Sequence, residues 1–243
     1  MTNKKLISTL LITTGILMIF SSILPLKAQT RFAPSSQQRK PEPRELLDNV
    51  TGRLFVLERK KKPGGGRGEG RGEVCPIAPE TWVNSNDENA TLEPVKILSS
   101  QPLFFWKSNG ENAIKIEVFE DSELIKDPIW KADIPNGKTH ILYQGEPLKA
   151  GKVYYWRLVA IGAKKQTYFQ VIPEQNPIQE ELKTRENKLQ SQGASAEEIS
   201  LKKAHYLAEQ GLWSDALREL FSVANPSAEL KKSIQQIIAH NFC

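Results

Sequence analysis

The chain has 243 residues, with 33 Lys and Arg against 28 Asp and Glu, a net charge of +5 and two cysteines. One or two domains with tails fit this length. Only one stretch is apolar enough to span a bilayer, which excludes a polytopic membrane protein. Two cysteines exclude a disulfide-dense scaffold and any four-cysteine zinc site. A sequence pI near 9.1 suggests a polyanionic partner, so the position of the charge along the chain matters.

Residues 1–28 have the pattern of an export signal. Lys4 and Lys5 form a positively charged start, residues 6–24 form an apolar stretch, and a helix-breaking segment ends at Ala28. The apolar stretch is also long enough for an uncleaved anchor. The sequence therefore predicts an exported chain, periplasmic or extracellular, whose leader is either cleaved after Ala28 or kept as an N-terminal anchor.

Export bears on the two cysteines, Cys75 and Cys243, which bracket the part of the chain that looks folded. A cysteine pair in an oxidising compartment tends to form a disulfide. We therefore expect a bridge between them, with two free buried thiols as the alternative. Because the chain has no Cys-x-x-Cys spacing, we expect no redox role.

The excess positive charge lies outside the region that looks folded. Residues 1–28 carry three lysines and no acid, residues 29–75 carry eleven bases and six acids, and residues 76–243 carry 19 bases and 22 acids. The composition of residues 29–74 predicts a disordered, basic, Arg/Gly-rich linker, with an apolar island at 54–57 that could dock on the folded part or pair as an edge strand. The same segment could serve as a flexible arm for polyanions. The Arg/Gly-rich stretch itself, residues 59–72, lacks the aromatic residues that RNA-binding arms interleave, which argues against nucleic acid.

Residues 75–173 have the two-residue period of strands, interrupted by turn residues at short intervals. About seven short strands in this length predict an antiparallel immunoglobulin-like β-sandwich. Residues 177–243 change to a period of 3.6 and predict helices. The expected fold class is segregated α+β: the sandwich followed by a small C-terminal helical hairpin or bundle.

Residues 148–158, with Tyr154 and Trp156 at alternate positions, resemble the turn-and-strand pattern of fibronectin type III and related immunoglobulin-like domains. The resemblance implies that Tyr154 hydrogen-bonds the preceding turn and that alternate residues of this strand enter the core. Trp106 likewise resembles a core tryptophan of an early strand.

The candidate ligand-facing residues are aromatic. On the resemblance above, Tyr155 and Arg157 lie on the outer face of their strand. Aromatic rings can stack on sugars if several share a solvent face, although tryptophans in small sandwiches usually fill the core. The aromatic residues that could form such a platform are Trp82, Trp106, Trp130, Tyr143, Tyr155 and Tyr168. We expect Trp82, Tyr155 and Arg157 to face a ligand.

Start and stop residues define four C-terminal helices. Pro177 suits a first helical turn, Gly193 ends the first helix, and Ser195 with Glu198 forms a capping box for the second. A third helix with a broad apolar face begins near Trp213, and a fourth follows Asn225-Pro226.

Residues 204–217 resemble the helix-turn-helix core of a tetratricopeptide repeat, in which small residues let two antiparallel helices approach and a glycine makes the turn. The matching residues are Ala204, Ala208, Gly211, Trp213 and Ala216. The match is partial, because Lys203 stands where the repeat has leucine and there is no second copy. We expect the hairpin to dock on the sandwich as a structural cap, with a peptide-binding groove as the alternative.

The order of these features resembles a family of small exported bacterial proteins with a domain of unknown function. The shared features are the Arg/Gly-rich stretch before Cys75, the strands of Trp106 and Tyr154-x-Trp156, residues 211–217 and the closing Phe242-Cys243. The family has no established activity, so the resemblance implies fold and export only.

No arrangement typical of an enzyme is present. Three histidines lack metal-ligand spacing, and there is no Gly-x-Ser-x-Gly elbow and no Cys/His pair pattern. We expect no cofactor, no metal and no catalysis, and interpret the chain as an exported envelope protein with an interaction or structural role. Its partner would be an envelope protein or a glycan. The alternative is a module that binds an envelope glycan or polyanion through the basic arm and exposed aromatics, with membrane contact only through an uncleaved leader.

Overall fold

A computed structural model of the chain describes residues 42–59, 74–80, 94–108, 113–122 and 127–242. The strands in this part are β1 (Val74–Ala78), β2 (Val95–Ile97), β3 (Leu103–Ser108), β4 (Ala113–Glu120), β5 (Trp130–Asp133), β6 (His140–Leu142), β7 (Val153–Ala160) and β8 (Ala163–Val171). The helices are α1 (Pro43–Arg59), α2 (Pro177–Ser191), α3 (Ala196–Glu209), α4 (Trp213–Phe221) and α5 (Ala228–Ala239). The predicted leader, residues 1–28, lies outside the described residues.

The strands form two sheets of a sandwich. β1, β3 and β6 make a three-stranded sheet in that order, and β2, β8, β7, β4 and β5 make a five-stranded sheet. Neighbouring strands are antiparallel except β2, which runs parallel to β8. The β region followed by helices is the segregated α+β class that the sequence predicts.

The core between the sheets is built by alternation along the strands. In β7 the even-numbered residues are buried and the odd-numbered ones are partly exposed. Tyr154 makes the corner contact expected from the resemblance, because its hydroxyl accepts a hydrogen bond from the backbone N–H of Lys149 at 2.9 Å. The indole N–H of the fully buried Trp156 donates to the carbonyl of Pro79 at 2.7 Å. These bonds satisfy polar groups that burial would otherwise leave unpaired.

β3 differs from β7 because both of its faces are buried. Phe104 and Trp106 point into the core between the sheets, whereas Leu103 and Phe105 belong to a second core under the helices. The Phe105 ring lies 5.6 Å from that of Phe221 in α4. The helices therefore cover the outer face of the three-stranded sheet, as expected for a structural cap.

The C-terminal helices begin and end where the sequence predicts. The Ser195 side chain accepts the N–H of Glu198 at the start of α3, and Gly211 adopts a positive φ of 76° in the turn between α3 and α4. A positive φ suits glycine because it has no Cβ. Lys203, which departs from the tetratricopeptide pattern, lies between the carboxylates of Glu186 at 3.3 Å and Glu219 at 3.2 Å. Its charge thus links α2, α3 and α4.

Helix α1 corrects the expectation of a disordered linker over residues 29–74. Residues 43–59 are helical, including the island at 54–57, which docks through Leu54 and is not an edge strand. The apolar residues Leu46, Leu47, Val50 and Leu54 share one face of the helix and are all buried. α1 packs on α3 and α5. The helical period of these residues is present in the sequence, but the polar and glycine-rich composition of the flanking residues outweighs it in the prediction. The rest of the predicted linker lies outside the described residues.

Cys75 is not a free thiol, and Cys243 lies outside the described residues. The strand neighbour of Cys75 is Lys107, whose ammonium donates to the carbonyls of Ala239 at 3.3 Å and His240 at 2.8 Å. The described end of the chain thus lies beside the strand partner of Cys75. The pairing of Cys75 with Cys243 stays a prediction.

Candidate functional site

The sandwich has two outer faces, and the described helices pack on one of them, that of the three-stranded sheet. The outer face of the five-stranded sheet, called here the outer sheet face, is formed by alternate residues of its strands. They are Lys131 and Asp133 of β5, Lys115, Glu117 and Phe119 of β4, Val153, Tyr155, Arg157 and Val159 of β7, Lys164, Gln166, Tyr168 and Gln170 of β8, and Lys96 of β2. None of these side chains belongs to either hydrophobic core of the described residues.

An aromatic row crosses this face at its centre. Strand pairing places Phe119 beside Tyr155 and Tyr155 beside Tyr168. The rings of Phe119 and Tyr155 are stacked, with centroids 4.7 Å apart and planes within 9°, and the Tyr155 and Tyr168 centroids are 5.5 Å apart. Phe119 is 3% exposed and Tyr168 is 40% exposed, so the row emerges from the sheet towards β8. Such stacking between strand neighbours stabilises the rings in fixed positions.

Arg157 lies next to the aromatic row and is held from two directions. Its guanidinium carbon is 4.6 Å from the centroid of the Phe119 ring, and its Nη1 is 3.4 Å from a carboxylate oxygen of Glu117. The cation–π contact and the ion pair orient the side chain along the sheet. Its side chain keeps 28% exposure, so the guanidinium remains accessible.

The structure places two of the three residues that the sequence predicts to face a ligand. Tyr155 and Arg157 lie on the outer sheet face, and Trp82 lies outside the described residues. Of the wider aromatic set, Trp106 and Tyr143 are buried in the core. Phe119 is missing from the predicted set, although it follows Lys115 and Glu117 at the outward positions of β4 and its place could have been read from that alternation.

A second polar arrangement joins the helical cap to the sandwich. Asp215, in the first turn of α4, accepts the backbone N–H of Leu98 at 2.9 Å and that of Ser99 at 2.8 Å. Arg218 of the same helix donates through Nε to the carbonyl of Gln101 at 2.7 Å. Burial raises the pKa of Asp215 from 3.8 to about 6, against the opposing effect of its two N–H donors. These bonds fix α4 to the β2–β3 connection and are structural.

The described ranges also contain histidines and acidic residues whose surroundings bear on metal binding and proton transfer. Among them, no group of three His, Cys, Asp or Glu residues could hold a metal ion. His140 packs edge-on against Phe221, with ring centroids 4.8 Å apart, and burial followed by the Lys138 charge lowers its pKa from 6.5 to about 4. A histidine in this state is neutral near pH 7 and serves packing. None of the described helices has the length and apolarity that a membrane span requires.

Comparison with known proteins leaves the family open. No family model matches the chain, and no curated protein matches it. Among solved structures it is similar to the sensor domain of the anti-sigma factor RsgI4 of Pseudobacteroides cellulosolvens, at 8% sequence identity and a TM-score of 0.26. The match covers 44% of this chain and 99% of that one. The family resemblance stated from the sequence stays a prediction.

Proposed function

We propose that the protein is a non-catalytic, exported envelope protein that binds a partner protein through the outer sheet face. The observation that carries this proposal is a difference between the two outer faces of the sandwich. One is covered by the helical cap, and the other carries a fixed row of aromatic rings with an oriented arginine. Tyr, Phe and Arg are the residue types enriched at the centres of protein interfaces.

The size of the face suits such a contact. With about 4.8 Å between strands and about 3.3 Å per residue, the five strands give a face roughly 20 Å wide. It is about 26–30 Å long at β4, β7 and β8, which have eight, eight and nine residues, and about 10–13 Å long at β2 and β5, which have three and four. Side-chain relief raises the accessible area above this projection. Stable protein interfaces bury about 800 Å² on each partner, so the sheet face could supply most of one.

The ring geometry favours a protein over a glycan. Stacking on a sugar requires an open aromatic face, but one face of Tyr155 is occupied by Phe119 and its other side is flanked by Tyr168. Arg157 covers the ring of Phe119. The alternative, an envelope-glycan or polyanion module, would depend more on the Arg/Gly-rich residues 60–73, which lie outside the described residues.

Site-specific photo-crosslinking in intact cells tests the proposal. A photo-reactive residue placed at position 168 should give a discrete adduct with an envelope protein, and one placed at position 229, on an exposed site of α5, should not. Replacing Tyr155 by alanine should then abolish an adduct formed from position 166 without changing the circular dichroism spectrum. Equal adducts from positions 168 and 229, or none from 166 and 168, would contradict the assignment of this face.

A further inference from the structure

We infer that the partner surface bound by the outer sheet face is an acidic protein surface surrounding an apolar patch. This inference rests on the proposed function and adds the chemistry of the partner. It follows from the distribution of charge on the described strands and from the position of the aromatic row within that distribution.

The outer sheet face is cationic although residues 76–243 as a whole are not. Residues 76–243 carry 19 bases and 22 acids, a net charge of −3. The outward positions of the five strands carry five cations and two carboxylates, a net charge of +3. The cations are Lys96, Lys115, Lys131, Arg157 and Lys164, and the carboxylates are Glu117 and Asp133. Positive charge is therefore concentrated on one face, against the sign of the remainder.

The two carboxylates lie in the β4–β5 half of the face, where strand pairing sets each of them opposite a lysine. Asp133 is opposite Lys115, and Glu117 is opposite Lys131 and paired with Arg157. The β8–β2 half has no carboxylate at its outward described positions. It carries the exposed Lys164 and Lys96, on either side of the row that ends in Tyr168.

An apolar centre between two lysines is complementary to a partner surface that has an apolar group between two carboxylates. Carboxylates of a partner placed at the two lysines would gain Coulomb energy, and an apolar or aromatic group between them would pack on Tyr168. Exposed charges at an interface mainly accelerate association and set partner choice, and both effects weaken as salt rises. Because the rings of Phe119 and Tyr155 are covered, a glycan would find one open ring in this row, that of Tyr168, which argues against an acidic glycan. The carboxylates of the β4–β5 half would repel a uniformly anionic lipid surface, whereas a protein can place its carboxylates at Lys96 and Lys164 alone.

A defined acidic polypeptide provides the direct test. The protein is used as the cell processes it and is not shortened further. It is titrated with a random copolymer of glutamate and tyrosine at 20 and at 200 mM salt. We compare the double variant Lys96→Glu and Lys164→Glu with the double variant Lys183→Glu and Lys188→Glu, which makes the same charge change at exposed sites of α2. The face variant should bind at least about tenfold more weakly than wild type at low salt, or about 1.4 kcal/mol, and the control variant within about twofold. The difference between the two variants should shrink at high salt.

Two parallel titrations, with hyaluronate and with phosphatidylglycerol vesicles, separate the sources of acidic chemistry. Binding of either that depends on Lys96 and Lys164 as strongly as the copolymer does would overturn the choice of a protein surface. Equal copolymer affinity in both double variants would overturn the inference altogether. Failure of this inference is distinct from failure of the proposed function. If the adduct from position 168 persists in the Lys96/Lys164 variant but is lost in Tyr155→Ala, the face binds a partner that is not acidic.

Discussion

Replacing Asp215 by asparagine should remove a pH dependence from the stability of the protein. The carboxylate is 5% exposed and accepts two backbone N–H groups of the β2–β3 connection. Burial raises its pKa from 3.8 to about 6. At about 1.36 kcal/mol for each pKa unit, this difference corresponds to about 3 kcal/mol between the protonated and ionised forms.

The direction of the effect follows from proton binding. The folded state binds the Asp215 proton more tightly than the unfolded state, so the contribution of this group to stability is complete below pH 3.8 and is lost as the pH rises past about 6. Between pH 4 and pH 7 the wild-type protein should therefore lose about 2 kcal/mol of unfolding free energy through this residue alone. Asparagine does not titrate, and it leaves one backbone N–H facing its amide group, which costs about 1–3 kcal/mol at every pH.

Urea denaturation followed by tryptophan fluorescence at pH 4, 5, 6 and 7 measures the effect. Asp215→Asn should be less stable than wild type throughout, with a difference that is about 2 kcal/mol larger at pH 4 than at pH 7. Asp121→Asn, which makes the same change at an exposed position after β4, serves as the control and should follow the wild-type curve. Parallel curves for wild type and Asp215→Asn over this range would refute the reasoning.

Three further outcomes are expected. Tyr154→Phe should lower the unfolding free energy by about 1 kcal/mol, because the N–H of Lys149 loses its partner; an unchanged urea midpoint would contradict the corner contact. Gly145→Ala should cost about 1–3 kcal/mol, because its Cβ would lie 2.5 Å from the Tyr143 hydroxyl oxygen. The control Gly52→Ala, where nothing lies within 4 Å, should not be destabilising, and thermal unfolding compares the two. Cys243→Ser should abolish the difference in gel mobility with and without reductant and lower stability by up to about 4–5 kcal/mol, whereas a mobility shift that survives this substitution would exclude a bridge to Cys243.

The sequence predicts those parts of the fold in which local pattern and tertiary burial agree. β7 alternates cleanly because one side meets the core and the other meets solvent, so its inward and outward residues, including Tyr155 and Arg157, follow from period alone. The helices of residues 177–239 follow from Pro177, Ser195 and Gly211, whose chemistry acts within a single turn.

The rest depends on contacts that are distant in sequence. Helix α1 has apolar residues at 46, 47, 50 and 54 that repeat with a helical period, but the packing of this stripe on α3 and α5 could not be read from the sequence. Asp215 reads as an ordinary first-turn acid, yet its partners lie 116 and 117 residues earlier. The aromatic row could be found only in part, because the neighbour relation of Phe119, Tyr155 and Tyr168 is fixed by strand register and not by spacing along the chain.

Because both faces of β3 are buried, the three-stranded sheet separates two hydrophobic cores and contributes side chains to each. Phe104 and Trp106 contribute to one core, and Leu103 and Phe105 to the other. A chain cut after residue 173 would keep every strand of the sandwich but expose the apolar side of β3 that now contacts Phe221 and Phe242. The strands and helices that meet at residues 173–177 therefore share a core across this boundary. We expect heat or denaturant to unfold the two parts together in one transition.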